Sequence, residues 1–174
     1  MSTNAKIKEA GLSLAGQHKT KQLYALEDRL IPDDIDEAYL IQREYQTHIS
    51  QVQGAIAGYK LAMTTPALQA ANGVNEPCLG LILHDNIRLS PCTLKAENFV
   101  QLGIECEVAV RLGADIPQDG APYTREKVSE AIKSLSVAFE VIDLRRAPGV
   151  EPNIQFITGV AANVYNEGVV LGDP

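Results

Sequence analysis

Two glutamates share an otherwise apolar stretch near the middle of the chain. Glu105 and Glu107 lie within residues 102–110, which read LGIECEVAV. On a β-strand, residues two apart point to the same face, so both carboxylates lie on one face with their Cα atoms about 6 to 7 Å apart. Burying two like charges is costly unless they take up protons or find a cation. The pattern therefore predicts a buried strand with a cation site, and the alternative is an exposed edge strand with its polar face in water.

A second apolar stretch carries a further carboxylate. Residues 137–143 read VAFEVID, with Glu140 alone in the middle and Asp143 at the end. We expect this stretch to be a strand. Asp143 is out of phase with Glu140, so we expect it to be either a strand-end group or a group that contacts the metal ligands rather than the metal. Three carboxylates are what a hard divalent cation such as Mg²⁺ or Mn²⁺ takes from a protein, with positions left for a bidentate ligand. The sequence thus predicts a metal site at Glu105, Glu107 and Glu140.

Composition limits the class of protein. The chain has 174 residues, of which 45% are hydrophobic and 21% charged, which fits one soluble domain with a real core. A net charge of -7 argues against nucleic acid or an anionic membrane surface as a partner. No run of 18 apolar residues and no signal-peptide pattern occurs, so we expect a cytoplasmic protein. Cys78, Cys92 and Cys106 fit no zinc motif and are expected to be reduced, with Cys106 packed in the core.

The hydrophobic pattern divides the chain into an N-terminal helical segment, 1–54, and a mostly β remainder, 55–174, within one structural domain. Residues 5–52 are expected to be helical, and Pro32 with the acidic residues after it starts an amphipathic helix. Thr124 is expected to cap a helix that runs to about residue 135. The other expected elements are strands at 55–63, 79–83, 102–112, 137–143 and 169–171, a short helix at 66–71 and a helical turn at 154–160.

Several motifs, in the right order, resemble the fumarylacetoacetate hydrolase superfamily. More narrowly, they are similar to its branch of 2-oxopent-4-enoate hydratases and 4-oxalocrotonate decarboxylases. The resemblance covers nearly the whole chain from about residue 30. The segments that carry it are 103–109 (GIECEVA), 139–143 (FEVID), 58–64 (GYKLAMT), 77–85 (PCLGLILHD), 154–156 (IQF) and Ala162-Asn163.

The resemblance implies an α+β fold, a mixed and highly twisted β-roll with an N-terminal helical segment, and it assigns Glu105, Glu107 and Glu140 to Mg²⁺ or Mn²⁺. The implied substrates are 2-hydroxy-2,4-dienoates or their 2-oxo tautomers from meta-cleavage breakdown of aromatic compounds. An α-keto acid offers a carboxylate oxygen and a 2-oxo oxygen that can chelate one metal. The implied reaction is hydration of 2-hydroxypenta-2,4-dienoate to 4-hydroxy-2-oxopentanoate.

Three more residues are candidates for substrate binding and proton transfer. Lys60 is expected to neutralise the substrate carboxylate or to transfer protons, and the alternative is a strand-end lysine that reaches solvent. Asp85 is a candidate base or water-orienting group, or else a turn aspartate. Thr64 is expected to donate a hydrogen bond to substrate, or else to cap the following helix.

Alternatives to the hydratase remain open on the sequence. A 4-oxalocrotonate decarboxylase of the same pathway runs through the same chemistry, and a carbon–carbon hydrolase of the wider superfamily is a third reading. A further alternative is not an enzyme: a short non-catalytic homologue that acts as an assembly partner.

The chain also departs from the family pattern. Family members usually continue beyond this point with more strands, and they often carry Asp-Asn where this chain has Ala162-Asn163. A sheet without those later strands has an open edge and an apolar face near 102–112 and 137–143. We therefore expect a homo-oligomer, or a complex with a partner enzyme of the same pathway, for a truncated or naturally short form.

Overall fold

The computed structural model describes residues 2–173, which form a mixed fold of helices and sheets. The α-helices are α1 (Thr3–Lys19), α2 (Ile35–Gln53), α3 (Pro66–Ala71), α4 (Arg125–Ala131) and α5 (Pro152–Ala161). The strands are β1 (Ile56–Ala62), β2 (Cys78–Leu83), β3 (Ile87–Leu89), β4 (Leu102–Leu112), β5 (Ile132–Asp143) and β6 (Asn166–Leu171). None of the helices within residues 2–173 is long and apolar enough to cross a membrane.

The strands form two sheets. Strands β1 and β2 pair antiparallel as a hairpin-like sheet, and the second sheet has the order β3-β6-β5-β4. In that sheet β3 runs parallel to β6, and the other pairs are antiparallel. Strand β6 pairs only with residues 138–142 of β5, whereas β4 pairs with β5 along its whole length. Residues 108–112 and 132–137 therefore extend past β6 as a two-stranded ribbon, which we call the arm.

The hydrophobic core lies between helices α1, α2 and α5 and strand β2. Leu14, Ile41 and Val160 are its largest fully buried members from the three helices, and Cys78 joins them from β2. This core takes residues from both 1–54 and 55–174. Helix α2 begins where the acidic cluster predicts, because the Asp34 side chain accepts a hydrogen bond from the backbone N–H of Glu37.

Several element boundaries differ from the sequence prediction. The N-terminal helical segment is broken between α1 and α2. The helix capped by Thr124 ends at Ala131, not near residue 135, because β5 begins at Ile132 and pairs with β4 from there. The strand expected from residue 137 therefore starts five residues earlier. Strand β3 was not predicted, since three residues are too few for a periodic pattern.

The prediction that β4 is buried is wrong. Val108 is 67% exposed, and Ile104 and Val110 are also exposed. Cys106, expected in the core, is exposed as well. The reason is topological: β4 is the edge strand of its sheet, and none of its residues joins the core that helices α1, α2 and α5 form, which we call the helical layer.

Candidate metal centre

The three glutamates singled out by the sequence converge on one face of the β4–β5 pair. Glu105 and Glu107 are two residues apart on β4, and Glu140 lies directly opposite Glu105 on β5. Opposite residues of an antiparallel pair share a face. One carboxylate oxygen from each glutamate lies within 4.8 Å of the other two. Such a separation suits a single ion with bonds of about 2.0 to 2.6 Å to oxygen.

The three carboxylates have different surroundings. Glu140 is 5% exposed, whereas Glu105 and Glu107 are exposed. The desolvation argument made from the sequence therefore holds for Glu140 alone. Burial raises the pKa of Glu140, and the charge of Glu105 adds to that rise, against the lowering effects of Lys60 and Asn166. A cation would supply the positive charge that favours the ionised form.

Lys60 lies in the same site. It is on β1 opposite Gly80, and its aliphatic stem passes close over that glycine, where an added Cβ would lie 3.0 Å from Lys60 Cγ. Its Nζ is 3.1 Å from Glu140 Oε1, and its side chain is 9% exposed. The alternative of a lysine reaching solvent is therefore wrong. Lys60 links the small sheet to the carboxylate cluster on the large one.

Asn166 was missed by the sequence analysis. It begins β6, is buried, and donates a hydrogen bond from Nδ2 to Glu140 Oε1 at 2.8 Å. The expected strand started only at residue 169, so Asn166 fell outside it. An asparagine at the start of an apolar strand was the one available signal.

Within residues 2–173, no hydrogen bond or ion pair joins Asp85 or Thr64 to the carboxylate cluster. The Asp85 carboxylate lies 2.9 Å from His84 Nδ1 and beside Gly54, at the far end of the β1–β2 sheet from Lys60. Thr64 is exposed just after β1. The capping alternative for Thr64 is wrong, because Thr65 caps α3 by accepting a hydrogen bond from the N–H of Leu68.

Asp143 is a strand-end group, as one of its two sequence readings proposed. Its carboxylate is fully buried and accepts hydrogen bonds from the backbone N–H groups of Val100 and Gln101. Arg145 Nε donates to it at 2.8 Å, and another nitrogen of Arg145 donates to the carbonyl of His18 in α1. Asp143 thus ties the end of β5 to the helical layer.

Comparisons with known proteins found relatives by sequence and by structure. No protein-family model matches the chain. The chain is 30% identical, over 175 residues, to 2-keto-4-pentenoate hydratase 2 of Dechloromonas aromatica (strain RCB), covering 99% of this chain and 64% of that protein. It is 29% identical over 143 residues to 2-oxo-hept-4-ene-1,7-dioate hydratase of Escherichia coli, covering 79% of this chain and 52% of that protein.

A solved structure shares the fold. The 4-oxalocrotonate decarboxylase from Pseudomonas putida G7, complexed with magnesium and adipate, superposes with a TM-score of 0.84 at 21% identity. The match covers 99% of this chain and 64% of that one. The chain therefore spans 64% of the length of two of these relatives and 52% of the third.

Together these findings agree with the resemblance that the sequence motifs carry. The hydratase relatives and the shared fold support the resemblance of the chain's motifs to the fumarylacetoacetate hydrolase superfamily. The sequence similarity is to 2-keto-4-pentenoate hydratases and the structural similarity is to a 4-oxalocrotonate decarboxylase, the two kinds of enzyme in the branch that the motifs resemble.

Proposed function

We propose that the chain is a divalent-metal-dependent hydratase that adds water to 2-hydroxypenta-2,4-dienoate. The product is 4-hydroxy-2-oxopentanoate, in the meta-cleavage breakdown of aromatic compounds. The observation that carries the proposal is the meeting of Lys60 with the cluster of Glu105, Glu107 and Glu140. The hydratase names of the relatives support the choice of reaction.

The carboxylate cluster fits a hard divalent cation, Mg²⁺ or Mn²⁺. Three carboxylates outnumber the one ammonium group beside them, and oxygen ligands at this spacing suit both ions. The relative from Pseudomonas putida was solved with magnesium in one case and with calcium in another. When bound, the ion supplies a Lewis acid for the 2-oxo and carboxylate oxygens of an α-keto acid.

The protein's own groups supply the remaining chemistry. The Lys60 ammonium, held at the edge of the cluster, neutralises the substrate carboxylate and passes a proton to or from the dienoate chain. Thr64 is proposed as a hydrogen-bond donor to substrate, since it does not cap α3. The role of Asp85 as base or water-orienting group rests on the family resemblance, because its carboxylate contacts His84.

Replacing Lys60 tests its role. Lys60→Met keeps the length of the side chain and removes the charge, so we expect kcat/KM to fall about 10²- to 10⁴-fold. Metal content, measured by atomic emission, should stay the same. Lys95→Met, at an exposed lysine, is the control and should leave both quantities unchanged. Equal kcat/KM in the two variants would remove Lys60 from the mechanism.

A two-substrate assay tests the reaction itself. Metal-loaded protein is incubated with 2-hydroxypenta-2,4-dienoate and, separately, with 2-oxohex-3-enedioate, while ultraviolet absorbance and CO₂ release are followed. Loss of the dienoate absorbance without CO₂ supports the hydratase. CO₂ release from 2-oxohex-3-enedioate alone would make the chain a decarboxylase. Metal binding with turnover of neither substrate would support a non-catalytic assembly partner.

We propose that the large sheet is part of a twisted β-roll, and that segments 1–54 and 55–174 form one domain, since the core takes residues from both. The mixed pairing of the large sheet supports the first point. We also propose a cytoplasmic location, which the three unpaired cysteines support, because disulfides are rare in reducing compartments. The partners are a small dienoic acid and no nucleic acid or membrane.

The exposed apolar face of β4 and β5 supports a homo-oligomer. The large side chains exposed on the face opposite the glutamates are Ile104, Val108, Val110, Leu135, Val137 and Phe139. A contiguous apolar surface of this kind is typical of a protein interface. Sedimentation should therefore show a species larger than 18.8 kDa, and Val137→Lys should shift it towards the monomer. A pathway enzyme mixed with the chain tests the alternative of a hetero-complex.

A further inference from the structure

Both hydrogen-bond donors to Glu140 use the same oxygen. Lys60 Nζ lies 3.1 Å from Oε1, and Asn166 Nδ2 lies 2.8 Å from that same atom. A carboxylate whose Oε1 is held by two donors presents its other oxygen, Oε2, away from them. All three side chains are buried, so water competes little for these contacts.

A left-handed turn sets the position of Asn166. The three residues before it, Asn163, Val164 and Tyr165, have φ values of 62°, 51° and 61°. This conformation is unfavourable for a β-branched residue such as Val164 and persists only when the surroundings enforce it. The turn fixes the backbone that enters β6 and therefore the position of Asn166, the first residue of that strand.

The Asn163 side chain enforces the turn. Its Oδ1 accepts a hydrogen bond from the N–H of Leu81 at 2.7 Å, and its Nδ2 donates to the Leu81 carbonyl at 2.9 Å. Leu81 is on β2, beside Gly80, the pairing partner of Lys60. The turn therefore fixes the Lys60 sheet and the start of β6 relative to each other, and both donors to Glu140 depend on it.

We propose that Asn166 is a positioning residue that restrains Glu140 to offer one oxygen, Oε2, to the divalent cation. The inference rests on the metal site of the proposed function and adds how one ligand is oriented. Mg²⁺ requires near-octahedral geometry and short bonds, whereas Ca²⁺ accepts bidentate carboxylates and more ligands. Holding Glu140 to one oxygen therefore favours Mg²⁺ over Ca²⁺.

Calorimetric titration of Mg²⁺ and of Ca²⁺ tests the proposal. In Asn166→Leu, which has a similar size and no donor, Mg²⁺ affinity should fall about 10- to 100-fold. Ca²⁺ affinity should fall several-fold less, because a freed carboxylate can bind Ca²⁺ through both oxygens. A general loss of structure weakens the binding of both ions and leaves the ratio of the two affinities unchanged. That ratio is therefore the readout. Asn166→Ala, which adds no bulk, gives the same comparison if Asn166→Leu loses its fold by circular dichroism.

Asn86→Leu is the matched control. Asn86 is also a buried asparagine, and its Nδ2 donates to Gln53 Oε1 at 2.9 Å, outside the carboxylate cluster. Its replacement should lower the melting temperature and leave both metal affinities unchanged. A Mg²⁺ to Ca²⁺ ratio in the Asn166 variants equal to that of the unmodified chain would overturn the role of Asn166 alone. Failure of the unmodified chain to bind either ion would overturn the metal site as well.

Discussion

The helical layer and the arm are both rich in apolar residues, yet only the helical layer buries them. Leu14 of α1 is fully buried, whereas Leu135 of β5 is 54% exposed. The helices pack on one another and on β2, so that their apolar faces are covered. The arm extends past β6, and its two strands contact mainly each other. Burial in this chain thus depends on what lies against an element, not on how apolar its sequence is.

The end of β5, where the arm's strand enters the helical layer, should be the most sensitive point. Asp143→Ala removes the acceptor of two backbone N–H groups and leaves Arg145 buried without its nearest carboxylate. We expect the free energy of unfolding to fall by about 3 to 5 kcal/mol, as for other broken buried ion pairs. Urea denaturation measures it. A loss below about 1 kcal/mol would mean that the two regions are not joined through Asp143.

A pair of leucine truncations compares the two regions directly. Leu14→Ala should lower the free energy of unfolding by about 2 to 5 kcal/mol, because it opens a cavity in the core. Leu135→Ala should cost less than about 1 kcal/mol in the monomer, since its side chain is already half exposed. Equal losses at protein concentrations below self-association would show that the arm is covered, and the contrast between the regions would fail.

Relief of backbone strain gives the smallest effect. Val164→Gly places a residue that tolerates positive φ at the centre of the left-handed turn. Relief of strain should stabilise the native state by up to about 1 kcal/mol. The loss of the valine side chain and the higher entropy of glycine in the unfolded state act in the opposite direction. Thermal melting of the variant measures the net change. A drop in stability of more than about 2 kcal/mol would mean that Val164 packing, rather than its backbone, decides the turn.

Local sequence rules predict the carboxylate cluster well, and for a simple reason. The alternation of a strand fixes Glu105 and Glu107 on one face whatever covers it. That Glu140 joins them depends on the register of β4 with β5, which the sequence alone does not give. The isolated position of Glu140 in an apolar stretch suggested that pairing, and the resemblance to a known family supported it, together with the place of Lys60.

What the sequence could not give is set by contacts between distant segments. The exposure of β4 depends on its edge position, and the role of Asn166 depends on which β5 residue lies beside the start of β6. The end of α4 at Ala131 is decided by the pairing of Ile132 with β4, which overrides helix propensity. The cap of α3 at Thr65 differs by one residue from the Thr64 alternative, within the usual uncertainty of helix boundaries.

The central claim is that Glu105, Glu107 and Glu140 bind one divalent cation, and titration with Mn²⁺ followed by electron paramagnetic resonance tests it most directly. Free Mn²⁺ gives a strong signal that decreases on binding, so the titration reports both stoichiometry and affinity. We expect one ion per chain, and at least a tenfold loss of affinity in each of Glu105→Gln and Glu107→Gln, because each variant removes a charged ligand. Unchanged affinity in both variants would contradict the account and place any bound metal elsewhere.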